Sequence, residues 1–384
     1  MPVGADADEL IRQTDYDALS SRLSCYLKGY NPEDGLLLHL IPLIIHYQIL
    51  SIESQYKGFA IARKLKSQFF SIFPVSNTNV QSLIDVQQTE IKNRLDKFKP
   101  LKSPVINRGT YLRTRTITDN ILKFIESHDK NTPLQIVSLG AGNDTRCFPL
   151  VERFPNLHYF EIDVESTTRL KKLAILSSPT LSSKVGATPL AEYPTTSSQV
   201  LAFDPTLNTE RYHLLPLDLR TLKPNIAIKD IPILDGIDTN VSTLIISECC
   251  ICYLSKEDSN NLLSFWYKNL NNGEFLIYEP LGGNQNSNTN YGQVMIQNLI
   301  CRGIEMPTLL EYGTVDSQTE RLKKLIPNGD VKCRDMKTVY DEIDFSEKSR
   351  LNQLEMLDEL EELNLINSHY CLIDVKWEAG SGGE

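Results

Sequence analysis

The sequence of 384 residues is 41% hydrophobic and 23% charged, which is ordinary for a globular protein and excludes collagen-like and low-complexity chains. Its formal charge of −10 argues against a nucleic-acid partner, because proteins of that class usually carry a basic surface. Eight cysteines in a chain of this length do not make a disulfide framework, so we expect reduced thiols and a cytoplasmic protein.

The N-terminal part of the sequence predicts helices. Residues 1–10 hold acids and no apolar run, which is unlike a secretory signal. Apolar side chains at helical spacing predict a helix over 11–30. The apolar run Leu36–Ile52 is at the short edge of a membrane span and contains a proline and polar side chains, so we expect a buried helix and no membrane contact. We assign 36–104 to a helical insertion or lid, with a helix near Gln87–Phe98.

The rest of the chain alternates between short apolar runs and helical patterns. This alternation predicts an α/β fold with a mostly parallel, Rossmann-like sheet and an antiparallel last strand, formed by a domain over 105–379 with a flexible tail at 380–384. A helix capped by Ser255 is expected over Glu257–Leu270, and another capped by Ser346 over Phe345–Leu363. The predicted strands are Leu134–Leu139, Leu157–Ile162, Leu214–Leu219, Ser242–Glu248, Glu274–Glu279 and His369–Trp377.

Four features follow four successive strands, at the sheet edge where ligands bind in such folds. A glycine-rich turn begins at Gly140, Asp163 follows 23 residues later, and Asp218-Leu219 and Glu248 come at the next two strand ends. A carboxylate such as Asp163 suits ribose hydroxyls, Asp218 and Leu219 suit an adenine edge, and a partly buried Glu248 suits an ammonium group. Together they indicate a nucleoside with an amino-acid tail, S-adenosylmethionine. A nicotinamide dinucleotide would need pyrophosphate donors, which the turn lacks.

Two further groups of residues were weighed as sites. The basic and aromatic segment 106–115 contains Arg113, and arginine is the natural bidentate partner of a carboxylate. Cys249, Cys250 and Cys252 lack the spacing and the second cluster of a zinc site, so we expect no metal.

Segments spread over most of the chain resemble the leucine carboxyl methyltransferases and keep the order found in that family. They are QTDYDALSSRLSCYLKGY (13–30), INRGTYLR (106–113), VSLGAGNDTR (137–146), FEID (160–163), LDLR (217–220), ISECCICYL (246–254), YEP (278–280), YGQVMIQNL (291–299), EMPTL (305–309) and FSEKSRLNQLEMLDELEELNLINSHYCL (345–372).

The resemblance implies the Class I S-adenosylmethionine-dependent methyltransferase fold. It also implies methylation of the C-terminal leucine carboxylate of the protein phosphatase 2A catalytic subunit, a methyl ester that regulates assembly of the phosphatase holoenzyme. Residues 1–35 would then form a helix that covers the cofactor site. The implied cofactor contacts are Arg22, Arg113, Gly140, Asp163, Asp218, Leu219 and Glu248. We place Arg146 and Tyr253 on the acceptor side as catalytic candidates, and expect Tyr291 and Gln293 to line a peptide groove.

The acceptor would be a peptide α-carboxylate, which is ionised at pH 7 because its pKa is about 3.3–3.7. No general base is then needed, in agreement with the lack of a clear acid–base pair in the sequence. Three alternatives remain open: a carboxylate methyltransferase for another acceptor such as a modified tRNA base, a non-catalytic phosphatase-binding module, and a nicotinamide dehydrogenase. We expect a monomer whose partner is the phosphatase.

Overall fold

The computed structural model describes residues 7–52, 80–85, 102–283, 291–358 and 360–378. Its eight strands form a single sheet in the order β3-β4-β2-β1-β5-β6-β8-β7, where the strands are β1 (Leu134–Leu139), β2 (Leu157–Asp163), β3 (Leu207–Asn208), β4 (Tyr212–Pro216), β5 (Ser242–Glu248), β6 (Asn272–Pro280), β7 (Asp330–Asp335) and β8 (Tyr370–Glu378).

The central strands β4, β2, β1, β5 and β6 are parallel, whereas β3, β8 and β7 add antiparallel pairs at the two ends. The chain runs outward from β1 to β2 and β4 on one side and returns to β5 and β6 on the other. The predicted α/β architecture with a mostly parallel sheet and an antiparallel last strand is confirmed. The reversal of strand order beside β1 opens a crevice at the carboxyl ends of the strands.

Helices cover both faces of the sheet. Leu134 and Ile136 of β1 join the core on one face, while Val137 and Leu139 join the core on the other. The described α-helices are α1 (Ala7–Leu27), α2 (Leu37–Leu50), α3 (Val80–Asp85), α4 (Pro104–Glu126), α5 (Cys147–Arg153), α6 (Glu165–Ser177), α7 (Pro179–Lys184), α8 (Ser197–Leu201), α9 (Lys256–Asn269), α10 (Tyr291–Cys301), α11 (Pro307–Glu311), α12 (Val315–Leu325), α13 (Met336–Asp341), α14 (Phe345–Leu354) and α15 (Leu360–Asn367).

The apolar run near the N-terminus forms α2, whose side chains are buried in the same core as one face of the sheet. The Tyr47 hydroxyl shares a hydrogen bond of 2.6 Å with Ser177 at the end of α6. The start of the proposed 36–104 insertion therefore packs as an integral part of the domain, and the helix expected near Gln87–Phe98 lies outside the described residues. Among the helices described, none has the length and apolarity needed to cross a membrane.

The third predicted strand, Leu214–Leu219, corresponds to β4, which begins and ends earlier. It spans Tyr212–Pro216. The Leu217 N–H makes one more bond to the Asp163 carbonyl at 2.9 Å, and Asp218 then caps a 3-10 turn. The edge strand β7 was missed, although Val331 and Cys333 alternate with polar residues.

The helix expected over Phe345–Leu363 is divided into α14 and α15, so that prediction was wrong. Glu355 has an extended backbone at the break. Its carboxylate accepts a hydrogen bond from Asn107 and pairs with Lys28 at 2.8 Å, and its carbonyl accepts a hydrogen bond from Arg108. Arg108 thus binds the Glu355 carbonyl, the one of these groups that a continuous helix would use in its own hydrogen bonds. The expected Ser346 cap was also wrong, because the Asp344 carboxylate accepts the Glu347 N–H at 2.9 Å.

The close approach of β6 and β8 at Gly273 gives a test of this packing. Gly273 lies opposite Trp377, and a Cβ there would overlap the indole ring. We expect Gly273→Ala to lower the free energy of unfolding by about 1–3 kcal/mol through overpacking, measured by urea denaturation. Gly109→Ala in α4 is the control, because its Cβ meets open space and alanine favours a helix by about 0.5–1 kcal/mol. Equal stability of Gly273→Ala and the parent would contradict the packing described.

Candidate functional site

A cavity of about 410 Å³ opens at the carboxyl ends of the parallel strands. The ends of β1, β2, β5 and β6 form its floor and α1 forms the opposite wall. The structure brings seven of the nine predicted site residues to this cavity, namely Arg113, Gly140, Asp163, Asp218, Leu219, Glu248 and Tyr253. Arg22 and Arg146 are not in the lining, but both pair with Asp144, and Arg146 also pairs with Glu248 of the lining.

The glycine-rich turn after β1 places backbone against the cavity. Gly140 and Gly142 have φ angles of +60° and +48°, which side chains with a Cβ rarely adopt. A Cβ on Gly140 would also lie 2.5 Å from the Cys250 sulfur, and one on Gly142 would lie 2.6 Å from Asp15 Oδ1. The two glycines are therefore required both by conformation and by the close approach of their neighbours.

Asp163 ends β2 and fixes the same turn. Its carboxylate accepts the Gly142 N–H at 2.8 Å through Oδ2 and the Val164 N–H at 2.7 Å through Oδ1. Burial raises the pKa of Asp163 in spite of these two bonds. Each carboxylate oxygen has a second lone pair, so the group keeps acceptor capacity for hydroxyls of a ligand.

Asp218 is more exposed and is already engaged. It accepts the Arg220 N–H at 2.9 Å and forms an ion pair of 2.8 Å with the Arg220 guanidinium, which lowers the pKa of Asp218. Leu219 follows it as a buried residue at the start of the 3-10 turn. The pair offers an apolar surface beside a carboxylate, which suits a flat polar ring.

Glu248 lies between two arginines at the end of β5. Oε1 accepts from Arg113 Nε at 2.5 Å, and Oε2 accepts from the guanidinium of Arg146. Burial alone would raise the pKa of Glu248, but Arg146 and Arg113 outweigh it and hold the pKa below its usual value. The Arg113 guanidinium also lies over the Tyr278 ring, 5.1 Å from its centroid. Arg113 and Glu248 thus present a cation and an anion side by side.

Arg146 and Arg22 share a carboxylate that the sequence had not singled out. Asp144 pairs with Arg146 Nε at 2.8 Å and with Arg22 at 3.1 Å. Arg22 also pairs with Asp34 at 2.8 Å, and Asp34 accepts from Thr145 Oγ1 at 2.6 Å. These pairs attach α1 to the turn after β1. Asp144 follows the glycine-rich turn in the motif, so its place in sequence was a usable signal.

Residues of α1 also reach the turn and the cavity. The Asp15 carboxylate accepts the Asn143 backbone N–H at 3.2 Å and its side-chain amide. Tyr253, one of the predicted catalytic residues, donates to Thr14 Oγ1 at 3.3 Å. Nothing in the local sequence marks Asp15, because its role depends on a contact 128 residues away.

Tyr291 and the cysteines after β5 are the remaining candidate residues from the sequence. Tyr291 packs on His369, with 4.3 Å between the ring centroids. Cys249 and Cys250 line the cavity, and burial raises the pKa of both thiols. No three His, Cys, Asp or Glu side chains in the described ranges are grouped as a metal site requires.

Comparisons with known proteins give one consistent family. The family sequence model described as Leucine carboxyl methyltransferase matches residues 65–266. Leucine carboxyl methyltransferase 1 of Candida albicans is 35% identical over 380 residues, covering 95% of this chain and 92% of that protein. The protein of the same name from Yarrowia lipolytica is 32% identical over 371 residues, covering 95% and 96%. Among solved structures, a DUF574 family protein from Streptomyces avermitilis is 12% identical with a TM-score of 0.45, covering 78% of this chain and 95% of that one.

Asp15, half-buried in the cavity lining, predicts a measurable dependence of stability on pH. Burial raises its pKa from 3.8 to about 6, so the folded protein favours the protonated carboxyl. The free energy of unfolding therefore loses about 2 kcal/mol as the pH rises from 4 to 6 and the carboxyl ionises. Asp15→Asn removes this loss, so the difference in stability between variant and parent should grow in the variant's favour across that range. The measurement is urea denaturation at several pH values.

Asp235→Asn serves as the control, because this carboxyl is exposed and outside the cavity. Its stability difference from the parent should be constant with pH. A difference for Asp15→Asn that is equally constant would contradict the burial of Asp15.

Proposed function

Because the chain belongs to the leucine carboxyl methyltransferase family, we propose that it methylates the C-terminal leucine carboxylate of the protein phosphatase 2A catalytic subunit, with S-adenosylmethionine as the methyl donor. The product is a methyl ester on the phosphatase, which regulates holoenzyme assembly. The observation that carries the proposal is the pair of opposite charges, Arg113 and Glu248, beside Asp163 in one cavity.

The lining fits the donor group by group. Asp163 has lone pairs left for ribose hydroxyls, and Asp218 with Leu219 borders the position for an adenine ring. Arg113 offers hydrogen-bond donors to the carboxylate of an amino-acid tail, and Glu248 offers acceptors to its ammonium group. Gly140 and Gly142 belong to the same lining, and their positive φ angles give the turn the conformation that brings its backbone to the cavity. S-adenosylmethionine supplies the activated methyl group as part of a sulfonium.

Arg146 and Arg22 act behind this surface. Arg146 holds Glu248 on one side and Asp144 on the other, so we assign it to orienting Glu248 instead of the acceptor. Arg22 pairs with Asp144 and Asp34 and keeps α1 against the turn. Tyr253 remains a candidate at the acceptor side, since its ring lines the cavity while its hydroxyl is bonded to Thr14.

The chain has little proton chemistry to perform. A peptide α-carboxylate is ionised at pH 7 and is already a nucleophile. The residues of the cavity therefore need to exclude water and to hold the reactants in line. Well-oriented reactants gain about 7–11 kcal/mol from positioning alone. Apolar side chains from α1 and α10, such as Ile11 and Leu299, give the cavity the dry wall that this requires.

Arg12 is the residue that we assign to the acceptor carboxylate. Three other arginines in the lining pair with carboxylates: Arg113 with Glu248, Arg220 with Asp218 and Arg302 with Asp17. Arg12 forms no ion pair with any carboxylate that the structure describes. The same lining includes Ile11, Met295, Leu299 and Met306, which offer apolar surface suited to a leucine side chain.

The proposed activity predicts a specific labelling pattern. Incubation with S-adenosylmethionine carrying a labelled methyl group should label the phosphatase catalytic subunit, and alkali should release the label because it is a methyl ester. The matched control is the same subunit without its terminal leucine, which should remain unlabelled. Label on the shortened subunit would refute the terminal leucine carboxylate as the acceptor. In a parallel incubation, label on transfer RNA but not on the phosphatase would favour a carboxylate on a modified tRNA base. Tight binding of the phosphatase without any label would favour a non-catalytic binding module.

The assignment of Arg12 predicts a selective loss. Arg12→Met removes a charge-assisted hydrogen bond, so KM for the phosphatase should rise about 10-fold while KM for the donor is unchanged. A phosphatase tail peptide with a terminal carboxylate should bind the parent more tightly than its amide, and the variant should bind both alike. Arg115→Met on the exposed side of α4 is the control and should keep the preference. A carboxylate preference retained by Arg12→Met would rule out this role.

A further inference from the structure

A lysine is fully buried beneath the glycine-rich turn. Lys171 projects from α6, and its side chain has no exposed surface. Its ammonium group pairs with Glu161 Oε2 at 2.6 Å and donates to the carbonyl oxygen of Asp144 at 2.8 Å. Glu161 is equally buried within β2 and accepts a second hydrogen bond from the Tyr212 hydroxyl at 2.7 Å. Neither the cavity lining nor the proposed reaction uses this group.

Stability alone gives little reason for such a pair. Removing two charges from water is costly, and replacing a buried ion pair by apolar residues of similar volume is often neutral or stabilising. The pair would be expected where a fixed charge has a further task. Burial alone would lower the pKa of Lys171, but the Glu161 carboxylate outweighs it and raises the pKa, so the amine stays charged.

The contact to the Asp144 carbonyl indicates that task. Asp144 follows the turn whose Gly142 N–H is bound by Asp163, and its own carboxylate holds Arg146 and Arg22. The lysine holds the backbone of this residue from the core side. Arg146 pairs with both Asp144 and Glu248, so the position of Asp144 affects the position of Glu248 in the cavity.

We infer that Lys171 is a positioning residue for the donor site: Glu161 fixes the ammonium group, and the ammonium group fixes the turn that carries Gly140 to Asp144. This role rests on the proposed binding of S-adenosylmethionine in the cavity. Lys171 would not touch the ligand, but it would affect the affinity for S-adenosylmethionine by holding the turn in place.

The experiment separates this role from a structural one. Lys171→Met alone would leave the Glu161 carboxylate buried without its cation, so the test variant is Lys171→Met with Glu161→Gln, which removes both charges and keeps an acceptor for Tyr212. We expect this double variant to keep a melting temperature near that of the parent. Its affinity for S-adenosylhomocysteine, measured by calorimetry, should fall about 10-fold, and KM for the donor should rise while KM for the phosphatase does not.

Tyr212→Phe is the matched control, because it removes a hydrogen bond from the same carboxylate and leaves the turn alone. It should lower the melting temperature and leave affinity unchanged. If Lys171 had only a structural role, affinity would follow the melting temperature in both variants. It would then stay near that of the parent in the double variant and fall in Tyr212→Phe. Affinity of the double variant within twofold of the parent would overturn the inference.

A readout without ligand keeps this result separate from the proposed function. Backbone amides of the segment 138–146 should exchange hydrogen faster in the double variant than in the parent or in Tyr212→Phe. If the parent bound no S-adenosylhomocysteine, the proposed function would fail, while unchanged exchange in the double variant would overturn the role of Lys171.

Discussion

The turn that follows β1 is the part of the molecule on which the site depends, and nearly all of its residues are held by a partner. Gly140 donates to the Ile162 carbonyl at 2.8 Å, and Gly142 donates to Asp163. Asn143 is bound by Asp15 of α1, and the Asp144 carbonyl by Lys171 of α6. The five residues from Gly140 to Asp144 thus join β2, α1 and α6. Its backbone conformation determines where the acidic and basic groups of the cavity lie.

Alternation of charge is the second constraint on this region. Arg113, Glu248, Arg146, Asp144, Arg22 and Asp34 form a continuous series in which each cation lies between or beside carboxylates. Three positive and three negative groups leave the series neutral. Buried charges are tolerated only when they are paired, and this series satisfies that condition with few unpaired atoms. The pairing therefore lets these three arginines lie largely buried at the site.

Local sequence located the central parallel strands and the carboxylates at their ends, but not the edge strands β3 and β7. Continuous apolar runs marked β1 and β5, and Asp163 and Glu248 end strands where a parallel sheet binds ligands. The partners of those residues could not be derived in this way. Asp15 and Lys171 are ordinary positions on amphipathic helices until the helices are packed. The break at Glu355 likewise arises from Lys28 and Asn107, which lie more than two hundred residues earlier.

The position of α1 has a consequence for how the site is assembled. The hydrogen bond from Asn143 to Asp15 spans 128 residues, and the pair of Arg22 with Asp144 spans 122. Such contacts cost chain entropy that local contacts do not. We therefore expect α1 to take its place against the turn only after the elements around β1 have formed. The cavity is lined by α1 on one side and by the turn after β1 on another, so it is enclosed only when these two segments, far apart in sequence, lie against each other.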